Sequence, residues 1–289
     1  MRVGVIGVGI MGGAMATNLL KAGHEVIGFD VDPSKVEALA GVGLVAAASP
    51  AAVADSSEVV VLSLPSVPAL DEVAATLAAH PREGLICLET GTLPLDAKEK
   101  ARSVLAGAGI ELMDVPLSGT GLQAADATLV VLASGSGTAF EKARPVLDAI
   151  GRSTHYLGEF GNGSKMKYIA NLLVAVHNLA TAEAHALGIA AGMDPALVQE
   201  VMEDGVGSSK IFEIRGPMMV ADDYPPAARL DIIAKDAKLI AEFARLVGAP
   251  TPLLDTSIEY YEAASSSGLG DLDAAALCRF LEQSAGLAR

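Results

Sequence analysis

The stretch that decides the fold is the first one, Arg2-Val3-Gly4-Val5-Ile6-Gly7-Val8-Gly9-Ile10-Met11-Gly12. A β-branched apolar run ends in glycines spaced G-x-G-x-x-G, and the residues after it, through Met15, Leu19 and Leu20, keep a helical apolar spacing until Gly23. Strand, glycine turn and helix in that order give the pattern its meaning. Gly7 permits a tight turn, Gly9 lets backbone approach a pyrophosphate, and Gly12 lets helix and strand pack closely. The helix start at Ile10 and Met11 offers N–H groups and a positive dipole end to phosphates. Asp30 ends the second strand-like run, eighteen residues after Gly12, where an acid accepts the ribose hydroxyls of the adenosine half. This favours NAD over NADP, because a 2′-phosphate would meet a carboxylate and Lys35 is the only base between Phe29 and Ala40. The alternative is that Asp30 merely caps the Asp32-Pro33 turn.

From Met1 to about Leu157, strand-like runs alternate with helical patterns: Val3–Ile6, Glu25–Asp30, Val59–Leu64, Leu85–Glu89, Ile110–Asp114 and Thr128–Ala133. That rhythm predicts an α/β domain with a doubly wound parallel sheet. After Gly163 the strand signal ends. Helices are expected over Ser164–Ala191, Asp194–Glu203, Leu230–Val247, Pro252–Ala264 and Asp271–Ala285, with Gly192, Gly248 and Gly268 as stops. The chain thus reads as a dinucleotide-binding domain over 1–162 and an all-helical domain over 163–289, the latter opening with a long linking helix over 163–192.

Of 289 residues, 51% are hydrophobic and 19% charged, enough to build a core and too apolar for disorder. Thirty-five acids against twenty bases give a net charge of -15, which opposes nucleic acid and anionic membrane surfaces. Cys87 and Cys278 suggest neither a disulfide framework nor a zinc site, and the five histidines show no metal-ligand spacing. A reducing cytoplasm is the expected setting. The most apolar long stretch, Ile169 to Gly192, carries Asn171, His177, Asn178, Glu183 and His185, so no membrane span is expected. The N-terminal run reads as the first strand, not as a cleaved signal.

Two further segments carry chemistry. Gly161-Asn162-Gly163-Ser164-Lys165-Met166-Lys167 leads into a helix that carries Asn171. At about 100° per residue Lys167 and Asn171 lie one turn apart on one face, while Lys165 lies about 240° round from Asn171. A cation able to exchange a proton thus stands beside an amide able to orient an oxygen, although the spacing alone also fits a solvated helix start. Asp114-Val115-Pro116-Leu117-Ser118-Gly119-Thr120-Gly121 is a turn after a strand, with a hydroxyl and backbone N–H groups suited to a carboxylate.

With these segments in place the chain resembles, over nearly its whole length, the β-hydroxyacid dehydrogenases, which include 3-hydroxyisobutyrate dehydrogenase and tartronate semialdehyde reductase. The glycine loop continuing through Met15, Ala16, Asn18 and Leu19 resembles the family's cofactor signature, Asp114 to Gly119 its substrate loop, and Gly161, Gly163, Lys167 and Asn171 its catalytic helix. Lys235-Asp236 resembles its late Lys-Asp motif. The resemblance implies a Rossmann domain followed by a linking helix and a helical domain, with NAD as cofactor. It also implies Lys167 as general acid/base, and Ser118 and Gly119 binding a substrate carboxylate with Asn171. Thr120 belongs to the same substrate loop, Lys235 lies near nicotinamide and substrate, and Leu64, Pro65 and Thr92 line the cofactor.

The chain departs from the family pattern where Thr120, Gln123 and Ala127 replace common glycines, and the first two are expected to narrow or polarise the pocket. Val174 stands where phosphogluconate enzymes have a glutamate, and Lys167 stands where imine reductases typically lack a lysine. The expected reaction is hydride transfer between a small β-hydroxy acid and nicotinamide. The alternatives are reduction of a small semialdehyde acid or a non-catalytic dinucleotide sensor. A free lysine titrates near 10.4, so base catalysis calls for burial or a nearby Lys235 to lower it. His177 and Asn178 are read as packing or interhelical hydrogen-bonding residues, and Phe212 and Arg215 as packing and surface-pairing residues. The expected assembly is a homodimer or homotetramer.

Overall fold

A computed structural model describes residues 1–287 of the chain, which divides into two compact units, Met1–Lys167 and a second beginning at Tyr168. The first unit runs β1 (Arg2–Ile6), α1 (Ile10–Lys21), β2 (Glu25–Phe29), α2 (Pro33–Glu37), β3 (Val45–Ala46), α3 (Pro50–Ser56), β4 (Val59–Leu62) and α4 (Val67–Ala78). It continues with β5 (Ile86–Glu89), α5 (Leu95–Ala106), β6 (Glu111–Asp114), β7 (Leu117–Ser118), α6 (Gly121–Ala125), β8 (Leu129–Ala133), α7 (Gly137–Ile150) and β9 (Gly151–Tyr156). Six strands form a parallel sheet in the order β3-β2-β1-β4-β5-β6. The order reverses between β1 and β4, which opens a crevice outside their carboxyl ends.

The strands are apolar because both faces are covered. Val3, Val5, Val59 and Val61 pack on one side with Met15, Leu19, Phe140 and Leu147. Val60 and Leu62 point the other way, into Leu70, Leu77 and Leu105. This is the two-sided burial expected of a parallel sheet, and each such side chain contributes about 1.5–3 kcal/mol. Helix starts follow the local chemistry: Asp32 accepts from the Ser34 N–H before α2, and Ser49, Ser66 and Ser136 cap α3, α4 and α7. A second, three-stranded sheet pairs β7 antiparallel and β9 parallel to β8. Of its strands, β9 (GRSTHY) lacks the apolar alternation that would have announced it.

Helix α8 (Asn162–Ala190) begins in the first unit and continues into the second, where α9 (Pro195–Glu203), α10 (Lys210–Ala221), α11 (Leu230–Leu246), α12 (Pro252–Ala264) and α13 (Leu277–Ser284) follow. The core of the second unit includes Tyr168, Ala175, Ala182, Ile240, Tyr261 and Ala274–Ala276. Helix α10 was not legible because Gly216 and Pro217 interrupt it, yet a Cβ at Gly216 would lie 1.8 Å from Gln199 Oε1. The glycine is there to let α9 and α10 meet. The helix expected over Asp271–Ala285 is also shorter: Asp273 caps a 3₁₀ turn over Ala274–Ala276, and only then does α13 begin.

Arg215 is buried, not a surface residue. Its guanidinium donates to Asp273 Oδ1 at 3.1 Å and to Asn178 Oδ1 at 3.2 Å. Asn178 in turn donates to the Tyr261 hydroxyl at 3.0 Å and to Ala274 O at 2.9 Å. Among the described residues α8 is the helix long and apolar enough to cross a membrane. Two of its buried polar side chains are paired within the second unit: besides Asn178, the His185 ring lies 3.0 Å from Gln199 Oε1. Truncating Arg215→Ala strands Asp273 and Asn178 without their cation, so it is expected to cost about 3–5 kcal/mol in a urea titration. A loss under about 1 kcal/mol would show the network to be dispensable.

Candidate functional site

The glycine loop joins β1 to α1 at the reversal point. Gly7 has φ +89°, and a Cβ there would meet Ser63 O at 2.2 Å. A Cβ at Gly12 would lie 1.9 Å from Gly7 O, so the helix turns back onto the loop only with glycine at both places. Gly9 differs, with nothing within 4 Å of its ideal Cβ. It also caps α1 without a side-chain hydrogen bond, so no capping side chain occupies the N–H groups of the helix start, which an anion site requires. An open groove beside it is lined by Val8, Ile10, Thr17, Lys35 and Leu39. The residues present at this loop, Gly7, Gly9, Ile10, Met11, Gly12 and Asp30, therefore fit a dinucleotide. After β4, Leu64 is half-buried and Pro65 exposed, and Thr92 is half-buried in the turn after β5.

Asp30 is tied to that loop: one carboxylate oxygen accepts the Val8 N–H at 2.8 Å and the other the Asp32 N–H at 2.9 Å, with Lys35 Nζ at 3.3 Å. It therefore braces the loop and shapes the turn to α2 at once, the second of these being the turn role the sequence offered as the alternative. Asn18, in the same signature, donates to Ala124 O at 2.6 Å and ties α1 to α6.

In the substrate loop, Ser118 pairs with Val130 at the end of β7, and Gly119 has φ +140° with a would-be Cβ 2.7 Å from Leu129 Cδ2. Thr120 and Gln123 engage each other. Gln123 Oε1 accepts from the Thr120 N–H at 2.7 Å and its hydroxyl at 2.5 Å, so the glutamine folds back on the start of α6. Ala127 holds a left-handed φ of +53°, the conformation that makes glycine the common choice.

The start of α8 is seated by close approach to neighbouring side chain and backbone. A Cβ at Gly161 would meet Leu95 Cδ1 at 2.8 Å, and one at Gly163 would meet Leu132 O at 2.4 Å. Gly163 N–H donates to the Ser134 hydroxyl at 2.9 Å, while Ser164 donates both its N–H and its hydroxyl to Asp114 at 2.7 Å. Lys165 is exposed and donates to Asn162 Oδ1 at 3.2 Å, whereas Lys167 is only 8% exposed. The helical spacing separated these two lysines correctly.

In the second unit, Asn171 donates to Asp236 Oδ2 at 3.0 Å, and Lys235, half exposed at the start of α11, lies 3.2 Å from Asp236 Oδ1. Asp236 thus joins the amide of Asn171 to the ammonium of Lys235. Sequence reading quoted it only as half of a motif and missed its role. It equally missed a fully buried cation, Lys98, which sits 2.6 Å from Glu89 and 2.8 Å from Asp114. Burial pushes the Glu89 carboxyl above its ordinary range.

Comparison with known proteins gives a consistent picture. A family model for the NAD-binding domain of 6-phosphogluconate dehydrogenase matches residues 2–158, and one for the NAD-binding domain of NADP-dependent 3-hydroxyisobutyrate dehydrogenase matches 161–281. The chain is 34% identical to an L-threonate dehydrogenase of Cupriavidus necator, over 96% of this chain and 95% of the relative. It is 31% identical to an NAD-dependent L-serine dehydrogenase of Pseudomonas aeruginosa, over 99% of each. A crystal structure of 3-hydroxyisobutyrate dehydrogenase from Salmonella typhimurium superposes with a TM-score of 0.87 at 31% identity, covering 97% of this chain and 99% of that one.

The open space at Gly9 separates binding from folding. Gly9→Ala is expected to leave the thermal midpoint within about 3 °C while weakening NAD binding by about tenfold or more in calorimetry. NAD affinity equal to that of the unsubstituted protein would move the pyrophosphate away from this loop.

Proposed function

The chain belongs to the β-hydroxyacid dehydrogenase family, NAD(P)-dependent oxidoreductases acting on CH–OH groups, and from that membership we propose that it oxidises a small β-hydroxy acid with NAD, using Lys167 as general acid/base. The observation that carries this reading is the contrast at the start of α8, where Lys167 is buried and Lys165 is exposed. Burial penalises an ammonium, which suits a lysine that must give up and regain a proton near neutrality.

In this reading the hydroxyl of Ser118 and the N–H of Gly119 hold the substrate carboxylate, and Asn171, whose orientation Asp236 fixes, takes the substrate-binding role that family membership implies. Thr120 borders that loop. Its partnership with Gln123 makes it a rigid wall. Lys167 removes the hydroxyl proton as the carbinol is oxidised, and returns it in the reverse reaction, so the same residues serve reduction of a semialdehyde acid. The bound nicotinamide supplies the hydride acceptor. Gly7, Gly9, Ile10, Met11, Gly12 and Asp30 hold the dinucleotide, with Leu64, Pro65 and Thr92 along its path and Lys235 near the reacting end. L-Threonate and L-serine, the substrates in the relatives' names, both carry a hydroxyl β to a carboxylate.

The Asp30 carboxylate, with Val31 next to it and no arginine in the turn, supports NAD over NADP. Assembly into a homodimer or homotetramer is part of the reading, supported by exposed Leu187, Leu197 and Val201 on α8 and α9. Cys87 and Cys278, both buried and not joined in a disulfide, suit a reducing cytoplasm.

Incubation with NAD and a panel of short 3-hydroxy acids, followed at the NADH absorbance, is expected to show turnover on at least one member, and none at all would leave the sensor. Lys167→Met is expected to lower kcat by about 10²- to 10⁴-fold while the NAD dissociation constant stays within about threefold. Turnover near that of the parent enzyme would remove the lysine from the mechanism. With the substrate found, kcat/KM for NAD should exceed that for NADP by about tenfold or more; the opposite order would overturn the role given to Asp30.

A further inference from the structure

Lys98 takes no part in the chemistry above, yet its fully buried ammonium joins three segments that do. Besides its ion pairs with Glu89 and Asp114, it donates to Gly91 O at 2.8 Å. Glu89 ends β5, and its other oxygen accepts the Gly91 N–H at 2.9 Å, so the cation and this carboxylate shape the turn that carries Thr92. Asp114 ends β6 and opens the loop to Ser118. Its two oxygens take the Ser164 hydroxyl and N–H, and one also takes the Ser134 hydroxyl at 3.1 Å. Ser164 stands three residues, one helical turn, before Lys167.

We propose that Lys98, acting through Asp114 and Ser164, is the positioning residue that fixes the first turn of α8, and with it the Lys167 amine, against the Thr92 and Ser118 turns. The inference rests on the reading of Lys167 as acid/base. A buried ion cluster is poor evidence of stability, since apolar residues of like volume often serve as well or better. What it supplies is register. A reacting group displaced by about 1 Å can lose about 10²-fold in rate, and one ammonium bridging two strand ends, with Asp114 carrying the link on to the helix start, prevents that displacement.

Ser164→Ala is the mild test, because it removes one hydrogen bond and leaves the ions whole. It is expected to lower kcat by about 5- to 20-fold at saturating NAD and substrate, with KM within about twofold and the thermal midpoint within about 3 °C. Ser164→Thr, which keeps the hydroxyl, should recover kcat to within about threefold. Lys98→Met should cost about 20-fold or more, and the double variant should be no slower than Lys98→Met alone, because both act through Asp114. In the free protein, amide hydrogen exchange over Ser164–Lys167 should quicken by about tenfold in both single variants.

Unchanged kcat in Ser164→Ala, multiplying effects in the double variant, or unaltered exchange would each overturn the positioning role. Should Lys98→Met fail to fold, the Ser164 pair and the exchange decide. An unsubstituted protein without turnover on any hydroxy acid is the separate failure of the reading beneath, and exchange in the free protein still decides whether Lys98 and Ser164 order the helix start.

Discussion

Both oxygens of the Asp114 carboxylate receive the first turn of α8, and most of what the first unit does follows from that contact. Asp114 ends the last strand of the parallel sheet, so its backbone is fixed by pairing with β5 while its side chain reaches into the helix start. A helix N-terminus has unpaired N–H groups and a positive dipole end, and a buried carboxylate is their natural partner. Gly163 makes the approach possible, since any side chain there would collide with Leu132 O and Asp114 itself. The contact sets where residues 164 to 167 lie before any substrate arrives.

The same logic governs the other loops. Gly7 and Gly12 serve the protein's own close packing, with Ser63 O and Gly7 O as the atoms they avoid, whereas Gly9 faces open space. Three glycines in one motif thus have two different jobs. Asp30 couples them: by accepting Val8 N–H it fixes the loop at its middle, and by accepting Asp32 N–H it shapes the turn that follows.

Much of this was legible in the sequence because it depends on local pattern. Short β-branched apolar runs located β1, β2, β4, β5, β6 and β8, and the spacing of Lys167, Asn171 and Lys165 put the two lysines on different faces of α8. The rest depends on contacts between distant residues. Helix α10 looked broken by Gly216 until Gln199 supplied the reason for the glycine. Arg215 looked like a surface cation because its partners, Asn178 and Asp273, lie 37 and 58 residues away. Lys98 gave no signal: in its helix it reads as one more surface lysine in the run Asp96-Ala97-Lys98-Glu99-Lys100.

The charge balance around Lys98 explains why such a costly group persists. One ammonium faces two carboxyls in a region closed to water. The two are not equivalent. Asp114 has the hydroxyls of Ser134 and Ser164 and the Ser164 N–H in addition to Lys98, while Glu89 has Lys98 and the Gly91 N–H, and burial pushes Glu89 upward. The cluster therefore concentrates its donors on the carboxylate that touches α8. An apolar substitute for the trio would remove the desolvation cost but could not hold three chain segments in one register. Positional constraint, not net stability, is the role proposed for this buried ion group, at the helix turn that carries Lys167.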